Sequence, residues 1–149
     1  MKINVCVADE SHAVYAQQIC DLVYVSAQER GTGIAKRTPE YIAQKMKVGK
    51  AVIALTEEGE LAGFAYVETW SHTLFVANSG LIVAHKFRKT GLAKRIKQEV
   101  FNLSRRKYPD AKIFSITTGA AVMKINSDMG FRPVPFSELT DDAEFWAGC

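Results

Sequence analysis

The run Phe87-Arg88-Lys89-Thr90-Gly91-Leu92-Ala93-Lys94 gathers three basic side chains and a glycine between two apolar patterns. It follows Gly80-Leu81-Ile82-Val83-Ala84 and opens a helical pattern from Leu92 to Leu103. A strand that enters a helix through such a turn suits a phosphate group. The first N–H groups of a helix have no intrahelical acceptor, and the helix dipole favours an anion there. Gly91 has no Cβ, so anionic oxygens can come close to the backbone. The field of a helix end contributes only ~0.3–1 kcal/mol. Arg88, Lys89 and Lys94 would supply the rest as charge-assisted hydrogen bonds.

The charge distribution supports an anionic ligand. From His85 to Lys107 there are nine Lys or Arg against one acid, Glu99. From Ser137 onward there are four acids and no base, while the net charge of the whole chain is only +3. The basic block fits a nucleotide-like cofactor or a nucleic acid. Phe101 is the only aromatic residue between Phe87 and Tyr108, which argues against a stacking surface for nucleic acid. The 149 residues, 48% apolar and 23% charged, predict a single soluble domain spanning 1–149. No apolar run approaches a membrane span, and Met1-Lys2-Ile3-Asn4-Val5 lacks the apolar stretch of a signal peptide. Cys6, Cys20 and Cys149 are odd in number and widely spaced. They predict a reducing, cytoplasmic setting with neither disulfides nor a metal site, and are read as buried small apolar residues.

The elements that must position the turn can be read along the chain. Lys2–Ala8 alternates as a strand, and Asp9 or Ser11 caps a helix reaching about Gln28. Thr38-Pro39-Glu40 gives an N-cap, a proline at the first helical position and a first-turn acid for a second helix ending near Gly49. Ala51–Leu55 and Leu61–Thr69 read as strands joined by a turn at Glu57–Glu60. Leu74–Val83 is a further strand, whose Asn78-Ser79-Gly80 predicts a bulge or opening. A helix from Thr90 to about Lys107 buries Leu92, Ile96, Val100 and Leu103, with Lys94, Arg95 and Lys97 toward solvent. Lys112–Thr117 is a strand, Ala120–Met129 a short helix stopped by Gly130, and Phe131–Phe136 an edge strand. Asp141–Ala147 reads as a last short helix, and its Phe145 and Trp146 leave a homodimer contact open. This β-α-α-β-β-β-α-β-α-β order makes a mixed α/β sheet.

This order, with Arg88-Lys89-Thr90-Gly91-Leu92-Ala93 after the fourth strand, resembles the GNAT superfamily of acyl-CoA-dependent N-acyltransferases. The family signature is Arg/Gln-x-x-Gly-x-Gly/Ala, and a second one, Gly-Phe after a short helix, has its counterpart in Gly130-Phe131. The resemblance spans roughly Lys2 to Phe136. It implies an α/β (α+β) fold with a mostly antiparallel twisted sheet and a V-shaped splay between the fourth and fifth strands. It also implies acetyl-CoA, or another short acyl-CoA, as cosubstrate. The turn Arg88, Lys89, Thr90, Gly91, Leu92, Ala93 and Lys94 would hold its pyrophosphate. The strand Leu81, Ile82 and Val83 would pair with its pantetheine arm. Many family members carry a tyrosine four residues before the Gly-Phe glycine, able to protonate the leaving thiolate; here that position is Asn126. With a thiol pKa near ~8.5, a thiolate leaves without full protonation near neutral pH. A narrower resemblance joins Ile116-Thr117-Thr118 and Gly130-Phe131-Arg132-Pro133-Val134 to the glutamate N-acetyltransferases of arginine biosynthesis, and so to amino-acid metabolism.

An amine attacking a thioester must first lose a proton, and the resulting oxyanion needs donors placed in advance. Glu68 is the candidate base, directly or through water, with His72 the alternative. Backbone N–H groups near Leu81 and Ile82 are candidate oxyanion donors. Arg30, with Arg37, would bind an acidic group of the acceptor, since arginine suits carboxylates. Asn78, Ser79, Thr117 and Thr118 would orient the amine of a small-molecule acceptor, such as the amino acid glutamate. Asn126 in place of tyrosine keeps a second reading open, a non-catalytic acyl-CoA sensor; the basic block keeps a third, a nucleic-acid-binding domain.

Overall fold

The structure, a computed structural model, describes residues 2–30, 38–70, 75–115 and 120–132. Five strands form one sheet in the order β1 (Ile3–Val7), β2 (Ala51–Thr56), β3 (Leu61–Trp70), β4 (Phe75–Val83) and β5 (Lys112–Phe114). The first four pair antiparallel, and β5 runs parallel to β4. Among the described residues four α-helices accompany them: α1 (Ala16–Arg30), α2 (Pro39–Lys47), α3 (Leu92–Lys107) and α4 (Ala120–Asp128). The mixed α/β sheet is the one that the order of elements predicts, and its mostly antiparallel pairing is what the family resemblance implies.

Helices cover both faces of the sheet, and this explains why β2 and β3 are buried along most of their length instead of alternating. On one face Ile96, Val100 and Leu103 of α3 pack on Val52, Ala54, Ala65, Val67 and Val76. On the other, Ile19 and Val23 of α1 and Ile42 and Met46 of α2 pack on Ile53, Phe64, Tyr66 and Ile82. Ile42 and Met46 are four apart, one turn of a helix, so both side chains fall on the same buried stripe. Burying each contributes about 1.5–3 kcal/mol.

Local chemistry sets the helix boundaries. The Thr38 hydroxyl accepts from the Tyr41 N–H at 3.1 Å, with Pro39 in the first turn, as the sequence predicts. The Asp9 carboxylate does cap, but the segment it opens, Glu10–Tyr15, is 3-10 in form before α1 begins at Ala16. At the end of α4, Gly130 has φ +94 and the Phe131 N–H donates to the Asn126 carbonyl at 2.9 Å, a Schellman closure. That closure brings the Phe131 ring edge-on to Phe101 of α3, with centroids 5.6 Å apart.

Three details differ from the sequence reading. β5 ends at Phe114, earlier than Thr117, and Phe131 and Arg132 are not in a strand. Cys6 is exposed and Cys20 half-buried, because Cys6 lies on the outward side of an edge strand. Lys97 is 1% exposed, not on the solvent side of α3. The folded-back Phe131 ring covers it, 5.0 Å from its ammonium. The last predicted helix, Asp141–Ala147, lies outside the described residues.

Candidate active site

β4 organises the site from both of its ends. At its C-terminal end the chain makes a short 3-10 turn, His85–Phe87, and reaches Gly91, the N-cap of α3. Gly91 has φ +81, a region open to glycine and costly to other residues, and a Cβ there would meet nothing within 4 Å. The space in front of the helix is therefore open. No side chain caps α3, so the N–H groups of its first turn point out unclaimed by any cap. Lys89 has φ +64, the one non-glycine residue with positive φ among the described residues. Lys89 and Lys94 are exposed beside the helix start. Arg88 instead braces the turn: its Nε–H donates to the Val83 carbonyl at 3.2 Å and its guanidinium lies 3.4 Å from His85 Nδ1. The Thr90 hydroxyl donates to the Phe87 carbonyl at 2.6 Å, closing the turn from within.

Along β4 the register changes. Phe64 faces Ile82 and Tyr66 faces Ser79, so β4 carries one residue more than β3 between these pairs. Gly80, at φ +66, sits in this bulge. A Cβ on Gly80 would come 2.3 Å from Cε1 of the Tyr66 ring, so the ring lies directly on the bulge. The pairing of β4 with β5 covers three residues and stops at Ala77 and Phe114, while β4 runs on to Val83. From Asn78 to Val83, including Leu81, Ile82 and Val83, this edge of β4 has no strand beside it among the described residues. Ala77 marks the apex of the opening, and its partner on β3 is Glu68.

Glu68 does not stand alone. Its Oε1 forms an ion pair with the Nζ of Lys45, which α2 brings over this face. The same ammonium donates to the Val67 carbonyl at 2.9 Å. It also lies 5.5 Å from the Tyr41 ring centroid and 5.8 Å from that of Tyr66. The two rings meet edge to face at 5.9 Å. Phe64, Tyr66 and Glu68 share one side of β3 by the two-residue period of a strand, and Tyr41 and Lys45 share one side of α2 by the four-residue period. Tyr41, Lys45, Tyr66 and Glu68 thus form one box beside the bulge. Sequence reasoning missed Lys45 and both tyrosines; their signal was a Tyr and Lys four apart, flanking the Ile42–Met46 stripe.

The other face of the sheet holds buried polar groups. Asn78, paired with Val67, is directed to α3, and its amide donates to Ser104 Oγ at 2.8 Å. Ser104 in turn donates to the Val100 carbonyl at 2.9 Å. Asn126 of α4 is 8% exposed. The Oδ1 atoms of Asn78 and Asn126 are both buried and have no hydrogen-bond partner among the described residues. Burial holds the Lys97 ammonium's pKa down from 10.5 to about 8. The structure therefore gathers Glu68 and Ser79 on one face, and Asn78 on the other with α3. Arg30 ends α1, with its side chain outside the described set, and Arg37, His72, Thr117 and Thr118 lie outside the described residues.

No protein-family model and no curated protein matches this sequence. Solved structures do match. An acetyltransferase of the GNAT family from Staphylococcus aureus superposes with a TM-score of 0.76 at 15% identity, over 95% of this chain and 92% of that one. The chain has the GNAT fold. N-acetylglutamate synthase from Neisseria gonorrhoeae, complexed with coenzyme A and N-acetyl-glutamate, also superposes with a TM-score of 0.76, at 18% identity. There the match covers 99% of this chain and 32% of that one, so this chain spans about a third of the synthase's length. Diaminobutyrate acetyltransferase from Paenibacillus lautus, in complex with L-2,4-diaminobutyric acid and coenzyme A, gives a TM-score of 0.65 at 14% identity, over 87% and 74% of the two chains. Among the described residues no cluster of His, Cys, Asp or Glu could hold a metal ion, and no helix is long and apolar enough to cross a membrane.

Proposed function

We propose that this chain is a one-domain, cytoplasmic N-acyltransferase that moves an acetyl or other short acyl group from coenzyme A to the amine of a small molecule, such as an amino acid. The observation that carries this reading is an alignment across three strands. The opening beside β4 has its apex at Ala77 and Phe114, and Glu68 is in register with Ala77. An extended ligand entering along the free edge of β4 would bring its reacting end level with a carboxylate.

The residues present fit coenzyme A. The uncapped start of α3, with Lys89 and Lys94, would receive its pyrophosphate. The free edge from Asn78 to Val83 would pair with pantetheine amides as a strand would. The orphaned Oδ1 atoms of Asn78 and Asn126 offer acceptors for its N–H groups. When bound, the acyl-CoA supplies an activated thioester carbonyl. Glu68 would take a proton from the acceptor ammonium, directly or through one water. N–H groups at the bulge, near Leu81 and Ile82, would donate to the carbonyl oxygen as charge develops. The Asn126 amide would stand near the sulfur, where it can donate a hydrogen bond but no proton. Ser79, on the Glu68 face, would orient the acceptor.

Acyl-CoA-dependent thiol release with a panel of amines, read together with the product masses, tests this. An acceptor that gains one acetyl group as one thiol appears supports the reading. Saturable acyl-CoA binding with no transfer to any amine would replace it with a sensor.

A further inference from the structure

Glu68 is held at rest by Lys45, although a carboxylate bound to an ammonium is poorly placed to accept a proton from substrate. The two partners are not anchored alike. Lys45 is fixed independently of Glu68: its ammonium also donates to the Val67 carbonyl, and two tyrosine rings wall it in. Of its three N–H donors, the Val67 carbonyl and Glu68 take two. Glu68 is joined through one oxygen to Lys45 and its side chain is 24% exposed, against 12% for Lys45. Glu68 can therefore move, while Lys45 stays. Departure of Glu68 alone would leave a largely buried cation uncompensated, which is strongly unfavourable. It becomes favourable only when another anion arrives.

Resting on the acyltransferase reading, we propose that Lys45 is the recognition cation for acceptors that carry a carboxylate, and that this carboxylate displaces Glu68 from the ammonium. The displaced Glu68 then faces the acceptor's own ammonium. One N–H bond of that ammonium breaks and an O–H bond forms on Glu68. The freed lone pair makes the new C–N bond as the C–S bond breaks. The nitrogen's second proton leaves with the thiol product, and Glu68 returns its proton to water. An amine with no carboxylate leaves Lys45 and Glu68 paired, and so leaves the base occupied. The exchange links acceptor selection to proton removal in one box of four side chains.

The test compares L-glutamate with its side-chain amide and its α-amide, using acetyl-CoA as donor. It is run in the wild-type protein and in the Lys45→Met and Lys45→Arg variants, with melting curves to confirm folding. Wild type should favour the acceptor with the intact recognised carboxylate by roughly ten- to a hundredfold in kcat/KM, the worth of one charge-assisted hydrogen bond. Part of the difference should lie in kcat, because an amide acceptor binds without freeing Glu68. Lys45→Met should bring the ratio to about one, and Lys45→Arg should restore a preference. Wild-type transfer with no carboxylate preference overturns the role of Lys45 while leaving the acyltransferase reading intact. Equal losses for all acceptors in Lys45→Met overturn it as well, since a structural strut would do the same. Should Lys45→Met fail to fold, the wild-type ratio and the Lys45→Arg ratio still decide. No transfer to these three acceptors overturns the role of Lys45, and no transfer to any amine of the wider panel sinks the acyltransferase reading as well.

Discussion

The two ends of the site satisfy their polar groups in opposite ways. At the start of α3 the donors are backbone N–H groups, fixed by the fold and left uncapped behind an open Gly91. At the box on β3 the charged groups are side chains that satisfy each other, Lys45 with Glu68. A backbone site needs no rearrangement to receive a ligand that is the same in every turnover. A side-chain site that is already neutralised must exchange one partner for another, and that exchange is where selection between acceptors can occur. On the proposed function, this difference would place the invariant cosubstrate at α3 and the discriminating step at β3.

The largest effect should come from removing the proposed base, Glu68. Glu68→Gln keeps the size of the side chain and loses both the proposed proton acceptor and the counter-charge of Lys45. Turnover should fall by roughly a hundredfold or more, while binding of acetyl-CoA is unchanged. Unaltered turnover and pH profile would remove Glu68 from the reaction.

Next in size is Lys97, which belongs to neither end. With its pKa held at about 8 instead of 10.5, keeping it charged in the fold costs about 3 kcal/mol near neutral pH. Lys97→Met should stabilise the protein by up to that amount in urea denaturation at about pH 7. The sign with pH follows from linkage. Between about pH 8 and 10.5 the unfolded chain holds the proton that the native lysine has shed. Wild-type stability should therefore gain on that of the variant as pH rises through this window, and the two should converge above it. A destabilised Lys97→Met would show that the ammonium's contacts, the Phe131 ring among them, outweigh the cost of its burial.

A smaller effect is expected at the cosubstrate end. Gly91→Val forces a β-branched residue into the left-handed region at a strain of about 1–2 kcal/mol. The Kd for coenzyme A should rise about tenfold, and discrimination between carboxylate and amide acceptors should be unchanged. Loss of that discrimination would show that the two ends are not separate.

What was legible in the sequence was what short-range chemistry determines. Thr38-Pro39 placed α2, Gly130 placed the end of α4, and Asn78-Ser79-Gly80 announced the bulge that Gly80 makes against Tyr66. The basic turn before Leu92 was legible for the same reason, since strand, glycine and helix are contiguous. Lys97 was misread because its burial depends on Phe131, thirty-four positions away, folding back on α3. Lys45 was passed over because its meaning comes from Glu68, which reaches it only when α2 docks on the sheet. Neither tyrosine of the box is set apart by a motif in the sequence; Tyr66 is buried, and it meets Tyr41 only when α2 docks on β3.

The most direct measurement is a calorimetric titration of coenzyme A into the wild-type protein, repeated with inorganic pyrophosphate present and at raised salt. One-to-one saturable binding, competed by pyrophosphate and weakened by salt, is the result predicted by an anion site at the start of α3. Absence of saturable binding, or binding indifferent to both pyrophosphate and salt, would contradict it.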